Sequence, residues 1–415
     1  MELLNKPINS FDFAYIVEFC KQGHVEGIQL DYKKDLSDKG LAKDFAAFSN
    51  TRGGVIIIGV EEDHDRSIPK AWDGVLNAGK AEDRIDQFAA NVDPLPNYEI
   101  HVTDDYNGKV FILVRIFEGD RTPYYVQNDA NLWVRTGSIK KPIDIAGRDM
   151  TELMFGKKEK AEQARNNYLR RAEELRVAAL QRAEGGKADR FLDTTTLKIA
   201  VQPFYPRRAL IAPSELPALS AGQMVVSGKD STSFPRHTRE SESIPDGILR
   251  FFSSNDDDQS YRSYVEQIYA TGLVYYAESI LRIGERGHHL ISLGQIAANL
   301  YLVLNAASKY YHSVGYQGGL DGRVALNNTK DKQLQIRTNV LLGFNHETRA
   351  VLLAEYEWKL DLDTSLLGNP TALQSYFLDL IRQISWDLGY PDLQNDWLYG
   401  FLRREGWLIL DNAVS

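Results

Sequence analysis

Six consecutive residues, Val55-Ile56-Ile57-Ile58-Gly59-Val60, carry no polar side chain, and all but the glycine are β-branched. A strand with one wet face alternates apolar and polar residues; an uninterrupted β-branched run is the mark of a strand covered on both faces. The chain around it must therefore supply structure above and below the sheet. The flanks are suited to this. Residues 8–22 place Phe11, Tyr15 and Phe19 at helical spacing, with Asn9 or Ser10 as the expected cap and Gly23 as the stop. Residues 27–33 read as a short strand. Residues 38–51 read as a second helix, with Leu41, Phe45 and Phe48 on one face, and Gly53-Gly54 ends it and opens the apolar strand. A helix over 80–91 closes at Pro94 and Pro96. Strands over 97–104 and 109–117 flank Asn107-Gly108, a strong hairpin signal. Shorter strands fit 123–127 and 131–136.

Residues 147–184 read as one long helix with a narrow, alanine-rich stripe: Ala161, Ala164, Tyr168, Ala172, Leu175 and Ala179. From Lys157 to Arg190 there are ten Lys or Arg against six Asp or Glu. That excess is either a basic strip for phosphate or a solvated, salt-bridged face. Gly185-Gly186 ends the helix and is the expected domain boundary. The later half reads as α+β. It has strands at 194–201, 264–268, 273–277, 322–327 and 347–359, helices at 292–312 and 370–388, and a Ser-, Pro- and Gly-rich loop over 213–246. The expected fold class is thus α+β. A mixed-sheet domain spans 1–150, the linking helix spans 147–186, and a second α+β domain spans 190–415. That last domain is expected to serve interaction or homo-oligomerisation. Its aromatic residues Tyr301, Tyr310, Tyr311, Tyr376, Phe377 and Trp386 are assigned to a core by default.

At 415 residues the chain exceeds one ordinary core. Its net charge of −9 argues against a surface coated in nucleic acid, while allowing one local basic groove. The single cysteine, Cys20, excludes an intrachain disulfide and a zinc–thiolate cluster. No basic head with an apolar run opens the sequence, and no apolar run approaches the roughly 20 residues of a membrane span. The expected setting is cytoplasmic, without a membrane partner.

Candidate chemistry concentrates in residues 23–62. The order is Gly23-His24-Val25-Glu26, then Asp31-Tyr32-Lys33, then Ala46-Ala47-Phe48-Ser49-Asn50-Thr51-Arg52-Gly53-Gly54, then the apolar strand ending Gly59-Val60-Glu61-Glu62. A later stretch reads Pro123-Tyr124-Tyr125-Val126, and then Leu132-Trp133-Val134-Arg135-Thr136-Gly137-Ser138. This ordered set resembles the Schlafen AlbA-type domain, and the resemblance covers about a third of the chain. It implies a protein that handles nucleic acid, RNA (tRNA included) before DNA, in regulation or in defence. In nuclease members three acids hold a divalent metal. Mapped residue by residue they are Glu26, Asp31 and Glu61, with Glu62 and Asp63 as alternatives for the third. Converging carboxylates repel, and a hard cation such as Mg²⁺ or Mn²⁺ relieves the repulsion, activates a water and offsets charge on a scissile phosphate. Lys33, on the same strand face as Asp31, can stabilise that charge. The sequence departs from the nuclease pattern at Asp31-Tyr32, where Glu-Phe is usual, and at Glu61, where the animal nucleases have Asp. Both changes alter carboxylate reach.

Arg135, inside the resembling segment, and Lys140-Lys141 are the candidate phosphate contacts. His24 and His64 are accessory at most, and His288-His289 sits in a polar turn. The chain lacks Gly-x-x-x-x-Gly-Lys-Ser/Thr, and no glycine-rich turn leads from a strand into a helix, so ATP is not expected. Two functions follow from the resemblance: a divalent-metal-dependent endonuclease, and a non-catalytic nucleic-acid-binding regulator or effector subunit.

Overall fold

The structure is a computed structural model that describes residues 2–408 except 37–39, 64, 77–78, 120, 137–138, 145–147, 185–192, 207–208, 230–232, 237–240, 257–259, 284–288, 317, 341–342 and 392. His64, Gly137, Ser138, Gly185, Gly186 and His288 lie outside the described residues, as do the side chains of Lys140 and Lys141. The chain divides into two compact units, Met1–Glu162 and Gln163–Ser415. Both mix helices with sheets, an α+β architecture. No described helix is long and apolar enough to cross a membrane.

In the first unit, β1 (Leu30–Lys33) pairs in parallel with β2 (Gly54–Ile58). The antiparallel strands Ile112–Ile116 and Tyr98–Val102 extend the sheet beyond β2. β2 is therefore interior, and each of its residues is buried. Its alternate side chains serve two cores. Ile56 and Ile58 pack in a cluster with Phe45 and Phe48 of the helix Leu41–Asn50. Val55 and Ile57 pack with Ile16, Phe19 and Cys20 of the helix Phe13–Lys21. This is the arrangement expected of the apolar run. The first helix starts later than its pattern suggested: its cap is Asp12, whose carboxylate accepts from the Tyr15 amide at 2.7 Å, while Asn9 and Ser10 belong to a preceding 3₁₀ turn. After β2 comes the small hairpin of β3 (Glu61–Asp63) and β4 (Ile68–Ala71). A second antiparallel sheet runs in the order Ile139–Asp144, Asn131–Thr136, Tyr125–Val126 and Val92–Asp93. Trp133 and Tyr124 bring it against the helix Leu41–Asn50.

The second unit is built on a seven-stranded antiparallel sheet in the order Glu242–Ile244, Gly247–Asp256, Ser260–Tyr269, Val274–Ser279, Thr196–Pro203, Gly319–Asn327 and Glu355–Asp363. Alternate residues again divide between its faces. Ile199 and Tyr276 join the large core with the helices Leu293–Ser313 and Pro370–Asp387. Ala200, Tyr275 and Ala277 face Tyr168, Leu169, Ala172 and Leu175 of the long helix Arg148–Glu184. From Tyr168 to Ala179 the alanine-rich stripe is thus a packing face on this sheet. Several cations of the same helix are committed to ion pairs, Arg170–Glu174 at 2.6 Å, Arg176–Glu173 at 2.7 Å and Arg182–Glu242 at 2.6 Å, the pattern of a salt-bridged face. Glu173 also accepts from Lys198 and from the Tyr275 hydroxyl. Burial works against its charge, but Arg176 and Tyr275, with Lys198, hold the carboxyl down at about 2.

Tyr301, Tyr310, Tyr311 and Phe377 are buried in the large core, whereas Trp386 is 66% exposed. The stretch expected as one strand over 347–359 is two, Gly343–Ala350 and Glu355–Asp363, which belong to different sheets. The loop expected over 213–246 contains a short helix, Leu216–Ala221, and an edge strand, Glu242–Ile244.

Candidate functional site

The candidate residues lie around the parallel pair β1–β2. Glu26 precedes β1 and is held at both ends. Its amide donates to the Ser67 carbonyl at 2.7 Å, and its carboxylate accepts from the Tyr32 amide at 2.6 Å. Burial pushes the Glu26 carboxyl up to about 8, and the neighbouring Asp31 charge adds to the push, against the Tyr32 amide, which favours the ionised form. The folded chain therefore holds this proton more tightly than an unfolded one, whose glutamates titrate near ~4.3. The stability so gained is complete below that unfolded value and is lost as pH rises through about 8. Glu26→Gln is expected to flatten the fall in stability of the first unit across that window. Urea midpoints measured at a series of pH values check this, and parallel curves for the two proteins would refute it.

Asp31, on β1, sits among buried or nearly buried charges, those of Lys33, Asp44 and Arg135. Arg135 donates from Nη1 to Asp31 Oδ1 at 2.7 Å and from Nη2 to the carbonyls of Gly27 and Leu30 at 2.8 and 3.0 Å. Its guanidinium lies 4.7 Å from the Phe48 ring centroid. The other Asp31 oxygen pairs with Lys33, which also approaches Asp44 at 3.6 Å. Asp44 Oδ1 is 4.0 Å from Arg135. Asp31 and Asp44 carry two negative charges and Lys33 and Arg135 two positive, so the network is neutral. Arg135, read from the sequence as a phosphate contact, is only 4% exposed and is committed to internal partners. The strand Asn131–Thr136 turns Trp133 and Arg135 to the same side, toward the helix Leu41–Asn50. Asp44 is the site residue that the sequence reading missed. Its signal was position: three residues after Leu41 and four before Phe48, it falls on the apolar face of its helix.

Glu61 goes elsewhere. At the start of β3 its carboxylate pairs with Lys34 at 2.8 Å and with Lys70 at 4.0 Å. Glu62 and Asp63 follow it on β3, half-buried. Among the described residues no group of three or more His, Cys, Asp and Glu side chains is placed to hold a metal ion. The structure brings Glu26, Asp31 and Lys33 together and adds Asp44 and Arg135, but it does not complete a three-acid cage with Glu61. The donor set as placed does not fit Mg²⁺ or Mn²⁺, which take several oxygen ligands at about 2.0–2.2 Å.

The Asn50-Thr51-Arg52-Gly53-Gly54 motif braces this arrangement. The Asn50 amide donates to the carbonyls of Tyr124 and Trp133 at 2.9 and 3.0 Å and accepts from the Tyr124 amide at 2.7 Å. Thr51 Oγ1 accepts from the Arg135 amide at 3.0 Å. Gly53 has φ +64°, and a Cβ there would lie 2.6 Å from the Ile116 carbonyl oxygen, so the turn from helix to β2 requires glycine.

Residues 26–144 match the family model described as Schlafen, AlbA_2. The first unit therefore carries an AlbA-type domain of the Schlafen kind, and the match leaves the second unit outside it. The N-terminal domain of a RecG-related protein from Nitrosomonas europaea, solved by solution NMR, shares 16% identity over 32% of this chain and 93% of its own, with a TM-score of 0.26. No curated protein matches the chain.

Proposed function

We propose that the first unit binds nucleic acid, RNA in preference to DNA, and does not cut it. The observation that carries this reading is the AlbA_2 match over the segment that contains the whole network around Asp31. What favours binding over cleavage is the state of the acids: Asp31 is matched by two internal cations, and Glu61 is turned to Lys34 and Lys70. Because Arg135 is enclosed, phosphate contacts fall to exposed cations. Lys34, next after β1, and Lys70, on β4, have side chains 70% and 64% exposed and share the partner Glu61, and Lys140 and Lys141 remain candidates.

The test is equilibrium binding of the full chain to labelled tRNA, single-stranded RNA and single-stranded DNA across a salt series, with cleavage followed in Mn²⁺, Mg²⁺ and EDTA. Binding is expected to weaken with salt, with a log–log slope of about −0.7 per phosphate contacted on a single strand. Lys34→Ala and Lys70→Ala are expected each to reduce that slope by about one contact, with no sequence dependence. No binding to any of the three would sink the reading. Metal-dependent cleavage that disappears in Asp31→Asn would replace it with the endonuclease.

A further inference from the structure

We infer that the side-chain cations Arg135 and Lys33 hold the position a divalent metal would need beside Asp31, so that this AlbA-type site is closed to metal and works without it. The inference rests on the binding reading above and deepens it.

The argument is one of occupancy and charge. A divalent ion needs carboxylate oxygens free to turn toward it. Both Asp31 oxygens face cations: Oδ1 accepts from the Arg135 guanidinium, and Oδ2, buried and without a hydrogen bond, is in ion-pair contact with the Lys33 ammonium. One oxygen of the Glu26 carboxyl, Oε1, accepts from the Tyr32 amide. Arg135 cannot step aside by losing its proton, since guanidinium stays charged at any accessible pH. It is also fixed by the carbonyls of Gly27 and Leu30 and by the Phe48 ring, with its side chain 1% exposed. The charges of Asp31 and Asp44 are already matched in number by those of Lys33 and Arg135. A divalent ion beside Asp31 would be set against two cations already in place, and crowding like charges in a buried setting is costly. Arg135 also holds the segment from Gly27 to Leu30 against its own strand, Asn131–Thr136. The site is thus shaped by its own side chains, where a metal site is shaped by ion uptake.

The experiment is thermal unfolding of the full chain, followed by near-ultraviolet circular dichroism, with MnCl₂ titrated against EDTA and no nucleic acid present. A metal bound with a Kd of about 10 µM and offered at about 1 mM would raise the midpoint of the first unit by roughly 5–10 °C. The wild-type chain is expected to show no such rise. Lys33→Met, which leaves the buried Arg135 in place and takes the ammonium away from Asp31 Oδ2 and from Asp44, is expected to acquire one. Two results would each overturn the inference: a Mn²⁺-dependent rise in the wild type that Asp31→Asn removes, or a folded Lys33→Met that gains no rise. Since no nucleic acid enters the measurement, failure of the binding reading would appear in the salt series and leave this result untouched.

Discussion

Arg135→Ala is expected to destabilise the first unit by about 3–5 kcal/mol while leaving the salt dependence of nucleic-acid binding unchanged. Removing the guanidinium leaves Asp31 and Asp44 with Lys33 as their remaining partner in the network, and two carbonyls, of Gly27 and Leu30, lose their donors. Taking one partner from a buried ion pair costs far more than the pair contributes, because the charge left behind stays desolvated. For a unit of this size such a loss lowers the melting midpoint by about 10 °C or more. Arg135→Lys is expected to fall between the two. It keeps the charge, but a single ammonium cannot reproduce the forked contacts to one carboxylate and two carbonyls. Melting and salt-series binding, measured on the same preparations, check both halves. If a fully folded Arg135→Ala lost about one phosphate's worth of salt slope, the side chain would have to reach solvent, contrary to its 4% exposure.

How much of this was legible in the sequence depends on whether burial or direction was at stake. β2 was legible because a strand covered on both faces writes an unbroken apolar run, and the turn at Gly53 was legible because a positive φ beside a carbonyl admits only glycine. The long helix was legible from its stripe, but the surface that stripe meets was not, since the matching face lies far along the chain at Ala200, Tyr275 and Ala277. Charge direction was the least legible. A sequence shows that Arg135 is positive, not that it faces inward. The clue was its period-two relation to Trp133, which places both on one side of the strand. For Glu61, the resemblance set the residue at the strand's end beside Glu26 and Asp31, but the fold brings Lys34 and Lys70 to it. The break at 351–354 carried no turn signal, because Val351-Leu352-Leu353-Ala354 is apolar and contains neither Gly nor Pro. It is held by contacts from Lys332 and Thr329 that local pattern cannot show.

Ile57→Asp is expected to unfold the first unit outright, and Cys20 supplies the means to see it. Ile57 is fully buried at the middle of β2 and packs in the cluster of Ile16, Phe19, Cys20 and Leu113. The substitution removes a buried aliphatic side chain, a loss of about 2–3 kcal/mol, and puts an unpaired carboxylate in its place, a further cost of several kcal/mol. Together these approach the whole stability of an ordinary domain, about 5–15 kcal/mol. Because the chain has two units, a single melting curve need not be two-state. The thiol avoids that difficulty: Cys20 is the chain's one cysteine, it is buried in the same cluster, and burial pushes its thiol up to about 12. In the wild type it is expected to resist a thiol reagent until the first unit opens, because the thiolate is the reactive species. In Ile57→Asp it is expected to react at the rate of the urea-unfolded chain, while Ile57→Val, costing about 0.5–1.5 kcal/mol, stays protected. A protected thiol in Ile57→Asp would mean that β2 tolerates a charge on that face, and the two-sided burial on which this fold is built would have to be abandoned.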